Sequence, residues 1–251
     1  MIIIAEIGIN HNGDLNLAHE LIRQAKICGA DIAKFQLYDP NELFGPKGKT
    51  PNSAIYEQTR GIMPSLPATY QLHQWCREEG IEFMASVFDQ VRLEWIEELG
   101  VKRHKIASRT VVEDFPLCDA ILAKGKETFI SLGQWKPERG MENSPPYDHH
   151  PNIRYLYCVS KYPTEYRDIK MPECFTNSFY TGFSDHSLGI EAALVAVGRG
   201  ATVIEKHFTL SKAMSGPDHI CSIEPAEMAE LCYLARRMEK IECEYFDPGV
   251  R

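Results

Sequence analysis

Eight short runs rich in β-branched and aromatic residues recur along the chain, and their number and spacing constrain the fold more than any other feature. They occupy residues 2–8, 32–36, 82–86, 104–108, 128–132, 154–160, 179–184 and 202–208. The apolar residues in these runs are mostly consecutive and do not alternate with polar ones. Consecutive apolar residues are typical of parallel strands that are covered on both faces. The sequence therefore predicts eight parallel strands.

Helical patterns lie between several of these runs. Asp14 can cap the first helix, and Gly29 can end it. Its apolar stripe comprises Ala18, Leu21, Ile22 and Ala25. Eight strands that alternate with helices predict an α/β protein, a (β/α)8 TIM barrel. Because no Ser- or Gly-rich linker divides the 251 residues, we expect a single domain over residues 1–251.

Two connections are longer than ordinary links between a strand and a helix. They span residues 37–66 and 134–151. Loops of this length inside a compact fold are often functional. The second connection contains His149 and His150, which we expect to be solvated loop residues and not metal ligands.

Polar residues end or follow every predicted strand. In a TIM barrel the active site lies at the carboxyl ends of the strands, so these positions are the candidate site. The candidates are Glu6, Lys34, Gln36, Lys105, Ser108, Ser131, Ser160, Tyr162, Ser184, His186 and His207. The alternative for any single serine is an ordinary solvated position at a strand end.

Three lysines, Lys34, Lys105 and Lys206, are embedded in apolar runs. A lysine in such a place must meet an anion or lose several kcal/mol on desolvation. Three ammonium groups and several serines around one barrel mouth would suit a phosphate and a carboxylate. Glu6 and Glu205 could instead neutralise two of these lysines.

Two histidines end neighbouring predicted strands, His186 on the seventh and His207 on the eighth. Their imidazoles could converge on one ion. Two imidazoles with oxygen partners suit a borderline divalent metal such as Mn2+, Co2+, Fe2+ or Zn2+. A structural role for each histidine is the alternative.

The charge and the cysteines limit the class of protein. A formal net charge of −8 argues against a nucleic-acid binder, which needs a positive surface, but allows a small anionic substrate. No apolar stretch approaches the length of a membrane span, so we expect no membrane association. The eight cysteines include no CxxC pair, which favours reduced thiols in a cytoplasmic protein.

Seven motifs in this order resemble the sialic acid synthase family. They are "AEIGINHNGD", "GADIAKFQ", "KIAS", "YPTEYRD", "GFSDHSLGIEAAL", "GATVIEKHFTL" and "GPDHICSIEP". The resemblance implies an N-acetylneuraminate synthase-like enzyme, a transferase of carbohydrate biosynthesis. Such an enzyme condenses phosphoenolpyruvate with N-acetylmannosamine or a related acylamino sugar, and releases phosphate. The acceptor sugar, and whether it carries a phosphate, are left open.

The resemblance also implies roles for particular residues. A divalent metal, usually Mn2+, with Mg2+ and Co2+ as alternatives, would be held by His186 and His207. Phosphoenolpyruvate would contact Lys34, Lys105, Ser108, Ser131 and Ser184. The sugar side would comprise Glu6, Gln36, Tyr162 and Asp218, and Ser160 is a further substrate-binding candidate. Glu6, Lys34 and Lys105 are the residues we expect to be catalytic.

The sequence departs from the family pattern at several positions. Arg109 and Thr110 stand where many members have Gly-Glu, Val87 stands where a threonine is usual, and Ser160 replaces an asparagine of several members. The chain also ends at Arg251, without the antifreeze-like domain that commonly follows. We expect this domain to be absent, to be a separate polypeptide, or to belong to a longer form of the chain. A homodimer and a separate antifreeze-like domain protein are the candidate partners.

Two other functions remain open at this point. A metal-dependent aldolase that uses pyruvate would share the barrel and the metal but would need no phosphate site. A sugar- or phosphosugar-binding relative could have lost turnover through Thr110, Val87 and the missing domain.

Overall fold

Eight parallel strands close into a barrel in the computed structural model, which describes residues 1–44, 53–136, 144–147 and 150–245. The strands are β1 (Ile2–Gly8), β2 (Ile32–Leu37), β3 (Glu82–Val87), β4 (Arg103–Ile106), β5 (Glu127–Ser131), β6 (Ile153–Cys158), β7 (Tyr180–Asp185) and β8 (Val203–His207). Each strand pairs with the next along the chain, and β8 pairs with β1. The predicted (β/α)8 TIM barrel is confirmed.

Helices cover the outside of the barrel. They are α1 (Leu15–Ile27), α2 (Pro40–Leu43), α3 (Ser53–Thr59), α4 (Leu66–Glu79), α5 (Gln90–Glu98), α6 (Ser108–Glu113), α7 (Phe115–Leu122), α8 (Glu191–Gly198) and α9 (Pro225–Tyr245). Short 3-10 turns lie at Tyr166–Asp168, Phe175–Asn177 and His219–Cys221. None of the helices in the described parts of the chain is long and apolar enough to cross a membrane.

Helix α1 forms as its sequence predicts. The carboxylate of Asp14 accepts hydrogen bonds from the backbone N–H groups of Asn16 and Leu17, which otherwise lack partners at a helix start. The four residues of the predicted apolar stripe are all buried. Gly29 follows the helix with φ +95°, a left-handed conformation that suits glycine. Local capping and the buried stripe together fix both ends of α1.

The first long connection contains helices that the sequence did not predict. It includes the short helices α2 and α3, while residues 45–52 lie outside the described residues. In the second connection, residues 137–143 and 148–149 lie outside the described residues, so the expectation for His149 falls outside them too. His150 is exposed. Strand β4 also ends earlier than predicted, because Ser108 begins α6 and does not end a strand.

The barrel interior has an apolar floor below the carboxyl ends of the strands. It consists of Ile4, Ile32, Met84, Phe129, Leu156 and Val203, all buried. Side chains two residues further along a strand point to the same side. The residues two positions beyond the floor are Glu6, Lys34, Ser86, Ser131, Cys158 and Glu205. Because alternate residues of each strand point into the barrel, a polar layer lies directly above the apolar floor.

Candidate active site

A cavity of about 270 Å3 opens at the carboxyl ends of the strands. All twelve residues predicted from the sequence line it. They are Glu6, Lys34, Gln36, Lys105, Ser108, Ser131, Ser160, Tyr162, Ser184, His186, His207 and Asp218. The other lining residues are Leu43, Phe44, Ser86, Phe88, Ala107, Arg109, Gln134, Cys158 and Glu205. The strand ends thus converge on one cavity, as expected. We call this cavity, with the lining residues named above, the cup.

Lys34 is buried between two carboxylates. Its Nζ lies 2.8 Å from Oε2 of Glu6 and 3.4 Å from Oε2 of Glu205, and it donates to Oγ of Ser86 at 3.2 Å. Burial opposes the charged form, but Glu205 and Glu6 outweigh it, so the pKa of Lys34 is raised. The Lys34 ammonium is therefore fixed and already neutralised.

Lys105 is less well neutralised. Its Nζ donates to Oγ of Ser131 at 2.8 Å and to the carbonyl of Ile106 at 3.1 Å. The nearest carboxylate oxygen, on Glu205, is 3.9 Å away and belongs to a group that also faces Lys34. Burial lowers the pKa of Lys105 in spite of Glu205, and the charge of Lys34 adds to the lowering. A bound anion would supply the charge that this ammonium lacks.

Glu205 lies between these lysines; the sequence marks it as a polar residue near the end of the eighth strand and as a possible counter-ion, but not as a substrate-binding residue. Its Oε1 accepts a hydrogen bond of 2.7 Å from Oγ of Ser184. Burial would raise the pKa of Glu205, but Lys105, Lys34 and this hydrogen bond lower it. The signal that could have placed Glu205 in the site is its position two residues before His207 on β8.

Lys206 does not join the other two lysines, so that part of the sequence-based expectation was wrong. Its Nζ lies 2.8 Å from Oδ2 of Asp185, and both side chains are fully buried. Neither residue lines the cavity. Lys206 follows Glu205 directly, and adjacent residues of a strand point to opposite faces. Lys206 and Asp185 therefore form an ion pair outside the cup, between the barrel and its outer layer.

The two histidines face each other across the ends of β7 and β8. Their ring centroids are 5.4 Å apart. The Nδ1 atom of His186 lies 2.9 Å from the carbonyl of Val159, a contact that directs the Nε2 lone pair elsewhere. The buried Nδ1 atom of His207 has no hydrogen-bond partner within the described residues.

These imidazoles fit a divalent metal as an open pair of ligands. Burial holds the pKa of His207 well below its usual range, and the charge of Lys34 adds to the lowering, so this ring is in the neutral form that binds metal. In spite of burial, Cys158 and the carbonyl of Val159 raise the pKa of His186, so that ring would lose its proton on binding a metal. Among the described residues no three His, Cys, Asp or Glu side chains form a ready-made cage. A metal held here would therefore keep positions open for substrate oxygens.

Asp218 and Tyr162 form the wall beside the histidines. Oδ2 of Asp218 lies 3.9 Å from Nδ1 of His207, and the Tyr162 ring lies 4.1 Å from the His186 ring. Burial and the charge of Glu6 raise the pKa of Asp218 to about 6. A carboxyl group with that pKa can hold or release a proton near neutral pH.

Besides Ser86, which accepts from Lys34, three further hydroxyl groups lie near the lysines at the bottom of the cup. Oγ of Ser131 accepts from Lys105, and Oγ of Ser184 donates to Glu205. Oγ of Ser108 accepts the backbone N–H of Gly133 at 2.9 Å. The Ser108 hydroxyl also makes a hydrogen bond to Cys158; in spite of burial, His186 and this hydrogen bond lower the pKa of that thiol.

Several lining residues were not predicted as site residues. Leu43 and Phe44 come from the first long connection and Gln134 from the second, so unusual loop length was the signal for all three. Arg109 also lines the cavity, whereas Thr110 is buried and is not a lining residue. Thr110, which stands where many members of the family have Glu, is thus outside the cavity wall.

Comparisons with known proteins agree on one family. A model of the NeuB family matches residues 21–245. The N,N'-diacetyllegionaminic acid synthase of Legionella pneumophila is 37% identical over 258 residues, covering 95% of this chain and 72% of that protein. The N-acetylneuraminate-9-phosphate synthase of Homo sapiens is 34% identical over 254 residues, covering 95% and 70%. The crystal structure of N-acetylneuraminic acid synthetase from Leptospira borgpetersenii, in complex with citrate, superposes with a TM-score of 0.86 at 32% identity, covering 96% of this chain and 84% of that one.

Proposed function

This chain belongs to the NeuB family, and from that premise we propose that it condenses phosphoenolpyruvate with an acylamino sugar of the N-acetylmannosamine type. The product is a sialic acid-type nonulosonate, and phosphate is released. The single observation that carries the proposal is the under-neutralised ammonium of Lys105 at the bottom of a polar cup. A pyruvate aldolase would need no such anion site.

The phosphoenolpyruvate anion binds, in this proposal, at Lys105 with the hydroxyls of Ser131 and Ser108. Lys34 already faces Glu6, Glu205 and Ser86, so it holds these groups in place more than it offers a free charge. Holding both anionic ends of the substrate places its enol carbon in one orientation. Orientation of this kind can supply a large part of the reduction in activation free energy, because the translational and rotational entropy of the two substrates is lost on binding and not in the reaction step.

The acceptor sugar lies above, against Gln36, Tyr162, Ser160 and Asp218. A divalent metal, for which we propose Mn2+, would be held by His186 and His207 and would polarise the sugar carbonyl as a Lewis acid when bound. The enol carbon attacks the carbonyl carbon, and water adds to the cationic carbon so formed with loss of one proton, which balances the proton that the sugar oxygen gains. The new hydroxyl then becomes the C=O group as hydrogen phosphate leaves by cleavage of its C–O bond. Both new C–C and C=O bonds are then in place.

Proton transfer is better assigned to Asp218 than to Glu6. Both oxygens of Glu6 are engaged, Oε1 by the amide of Gln36 at 2.9 Å and Oε2 by Lys34. Asp218, whose pKa is raised to about 6, can deliver a proton to the sugar oxygen as it becomes an alkoxide. Glu6 then serves to orient Lys34 and the sugar.

Turnover tests this function directly. The enzyme is mixed with Mn2+, phosphoenolpyruvate and a panel of acylamino hexoses, and phosphate release is measured. We expect release that depends on both the sugar and the metal. Absence of release across the panel, from folded protein that binds Mn2+, would contradict the proposal and favour a binding protein without turnover.

The metal assignment has its own test. We expect His186→Ala and His207→Ala each to weaken Mn2+ binding by about 100-fold or more in a calorimetric titration, since each removes half of the protein ligands. His19→Ala, on the outer helix α1, is the matched control and should bind Mn2+ as the unchanged protein does. Full Mn2+ affinity in either cup variant would show that the ligands are elsewhere.

The identity of the acceptor is a separate question. Relatives named for an unphosphorylated and for a phosphorylated product resemble the chain to similar degrees, at 37% and 34% identity. The choice between the two acceptors therefore depends on the residues at the mouth of the cup.

A further inference from the structure

Arg109 places a third cation in the cup, at its mouth. It follows Ser108 after β4 and lines the same cavity as Lys34 and Lys105. Those two ammonium groups lie at the bottom, buried among Glu6, Glu205 and Ser131. The side chain of Arg109, by contrast, keeps 30% of its surface exposed. Glu113 on the same helix pairs with it at 2.7 Å, but both side chains stay partly exposed, so a group that enters from solvent can still reach the guanidinium.

The guanidinium of Arg109 is held in place by two neighbours in the cavity wall. Nη2 donates to the carbonyl of Leu43 at 3.0 Å, and the guanidinium carbon lies 5.4 Å above the ring of Phe44. Nε donates to Glu113 at 2.7 Å. Arginine has five N–H donors, and Nη1 has no hydrogen-bond partner within the part of the chain that the structure describes. A fixed guanidinium with free N–H groups is suited to a phosphate or carboxylate.

The position of Arg109 relative to the histidines sets which part of a substrate it could meet. In the closed order β1 to β8, strand β4 lies opposite β8. His207 ends β8, and Arg109 follows β4. An acceptor sugar whose carbonyl end lies at the histidines can therefore extend its far end across the mouth toward Arg109.

From this geometry we propose that Arg109 binds a terminal phosphate of the acceptor, so that the acceptor is a phosphorylated acylamino sugar. The inference rests on the proposed function, because it assumes that the sugar carbonyl lies at the histidine side of the cup. It assigns Arg109 a role in substrate selection and none in the bond-forming step.

The test uses a matched pair of unreactive acceptor analogues. These are the alditols of N-acetylmannosamine and of N-acetylmannosamine 6-phosphate. Both lack the reactive aldehyde group, and they differ only in the phosphate. Binding is measured by calorimetry in the presence of phosphoenolpyruvate and Mn2+. We expect the phosphorylated alditol to bind the unchanged protein about 10- to 100-fold more tightly, as charge-assisted hydrogen bonds would produce.

Variants then locate the preference. Arg109→Gln should remove the preference for the phosphorylated alditol and leave the affinities for phosphoenolpyruvate and for the neutral alditol within about twofold of those of the unchanged protein. Arg109→Lys should keep part of the preference, since a lysine retains the charge without the planar fork. Glu113→Gln is the matched control. It removes the ion-pair partner on the same helix and leaves the guanidinium, so the preference should persist.

Two outcomes overturn the inference. One is equal binding of the two alditols to the unchanged protein, and the other is a preference that survives Arg109→Gln. Turnover of the reactive sugars is read separately by consumption of phosphoenolpyruvate. Loss of turnover with a retained binding preference would reject the proposed function and keep the anion site, so the two failures are distinguishable.

Discussion

Lys105 and Lys206 show, at the scale of single residues, how two buried lysines of one barrel come to differ. Lys105 faces the cup with an incomplete set of negative partners, whereas Lys206 is fully buried beside Asp185 at 2.8 Å. The first ammonium is suited to an incoming anion. The second is suited only to holding the structure together.

We predict opposite effects of removing the two lysines. Lys105→Met should weaken phosphoenolpyruvate binding by about 10- to 100-fold without loss of stability, since burial disfavours this charge in the free protein. Lys206→Met should reduce the free energy of unfolding by about 3–5 kcal/mol, because it leaves the buried carboxylate of Asp185 unpaired.

Urea unfolding and a phosphoenolpyruvate titration on both variants check these effects. Folded Lys206→Met protein should bind phosphoenolpyruvate normally. If Lys105→Met binds it as tightly as the unchanged protein does, the anion site lies elsewhere.

His11, which follows β1, is a second residue with a measurable consequence. Its ring is buried, and Nδ1 accepts the backbone N–H of Gly13 at 3.1 Å. Burial lowers the pKa of His11 from 6.5 to about 4. His11 is therefore neutral in the folded protein at pH values where it is protonated in the unfolded chain.

Stability should consequently fall as the pH falls from about 6.5 to 4. Over this range the unfolded state binds a proton at His11 that the folded state does not bind. Titration of His11 therefore leaves the free energy of unfolding unchanged above pH 6.5 and lowers it by about 3 kcal/mol between pH 6.5 and 4. His11→Phe keeps a ring of similar shape beside Phe35 and removes this titration.

The measurement is the free energy of urea unfolding at several pH values for both proteins. The difference between their slopes isolates His11 from the other titrating groups. Identical slopes between pH 6.5 and 4 would contradict a buried, neutral His11.

At the scale of elements, Gly182 shows what the packing of two strands requires. Gly182 pairs with Val203, one of the floor residues, where β7 meets β8. A Cβ atom on Gly182 would lie 2.2 Å from the carbonyl oxygen of Val203 and 2.9 Å from Cδ2 of Leu156. The first obstacle is backbone and cannot rotate away.

We therefore expect Gly182→Ala to reduce the free energy of unfolding by about 3 kcal/mol or more, the upper end of the cost of overpacking. Gly61→Ala is the control, since no atom lies within 4 Å of the corresponding Cβ, and its effect should stay within about 0.5 kcal/mol. Both are read from urea unfolding. A stability of Gly182→Ala equal to that of the control would mean that β7 and β8 can separate without cost.

Element boundaries were the part of the fold that local patterns predicted less well. The caps of α1 are local, so Asp14 and Gly29 marked its limits correctly. Ser108 was assigned to a strand but begins α6. Its backbone conformation depends on where β4 leaves the barrel, which neighbouring strands decide and not adjacent residues.

At the scale of the whole molecule, a ligand bound in the cup contacts residues from all around the barrel. All eight strands contribute a lining residue, β4 through Lys105, and Ser108 and Arg109 of α6 are added after β4. An anion bound there contacts groups that converge only when the barrel is closed. Ligand binding should therefore stabilise the complete fold and not a local segment.

We predict that phosphoenolpyruvate at 100 times its dissociation constant raises the free energy of unfolding by about 2.7 kcal/mol, in a single transition. The same concentration should have much less effect on Lys105→Met. Chemical denaturation followed by both far-ultraviolet circular dichroism and tryptophan fluorescence tests this. Separate transitions for the two signals would indicate that part of the barrel unfolds independently of the cup.

The sequence by itself determined the number of strands, the barrel and the set of polar residues at the strand ends, because buried runs and helix caps are local patterns that can be recognised from neighbouring residues. Both faces of a barrel strand are buried, however, so a continuous apolar run does not reveal which residues point inward. Closure of the barrel decided that Glu205 faces Lys34 and Lys105 while Lys206 faces outward. It also brought Phe44 beneath Arg109, a contact between residues 65 positions apart that no local pattern encodes.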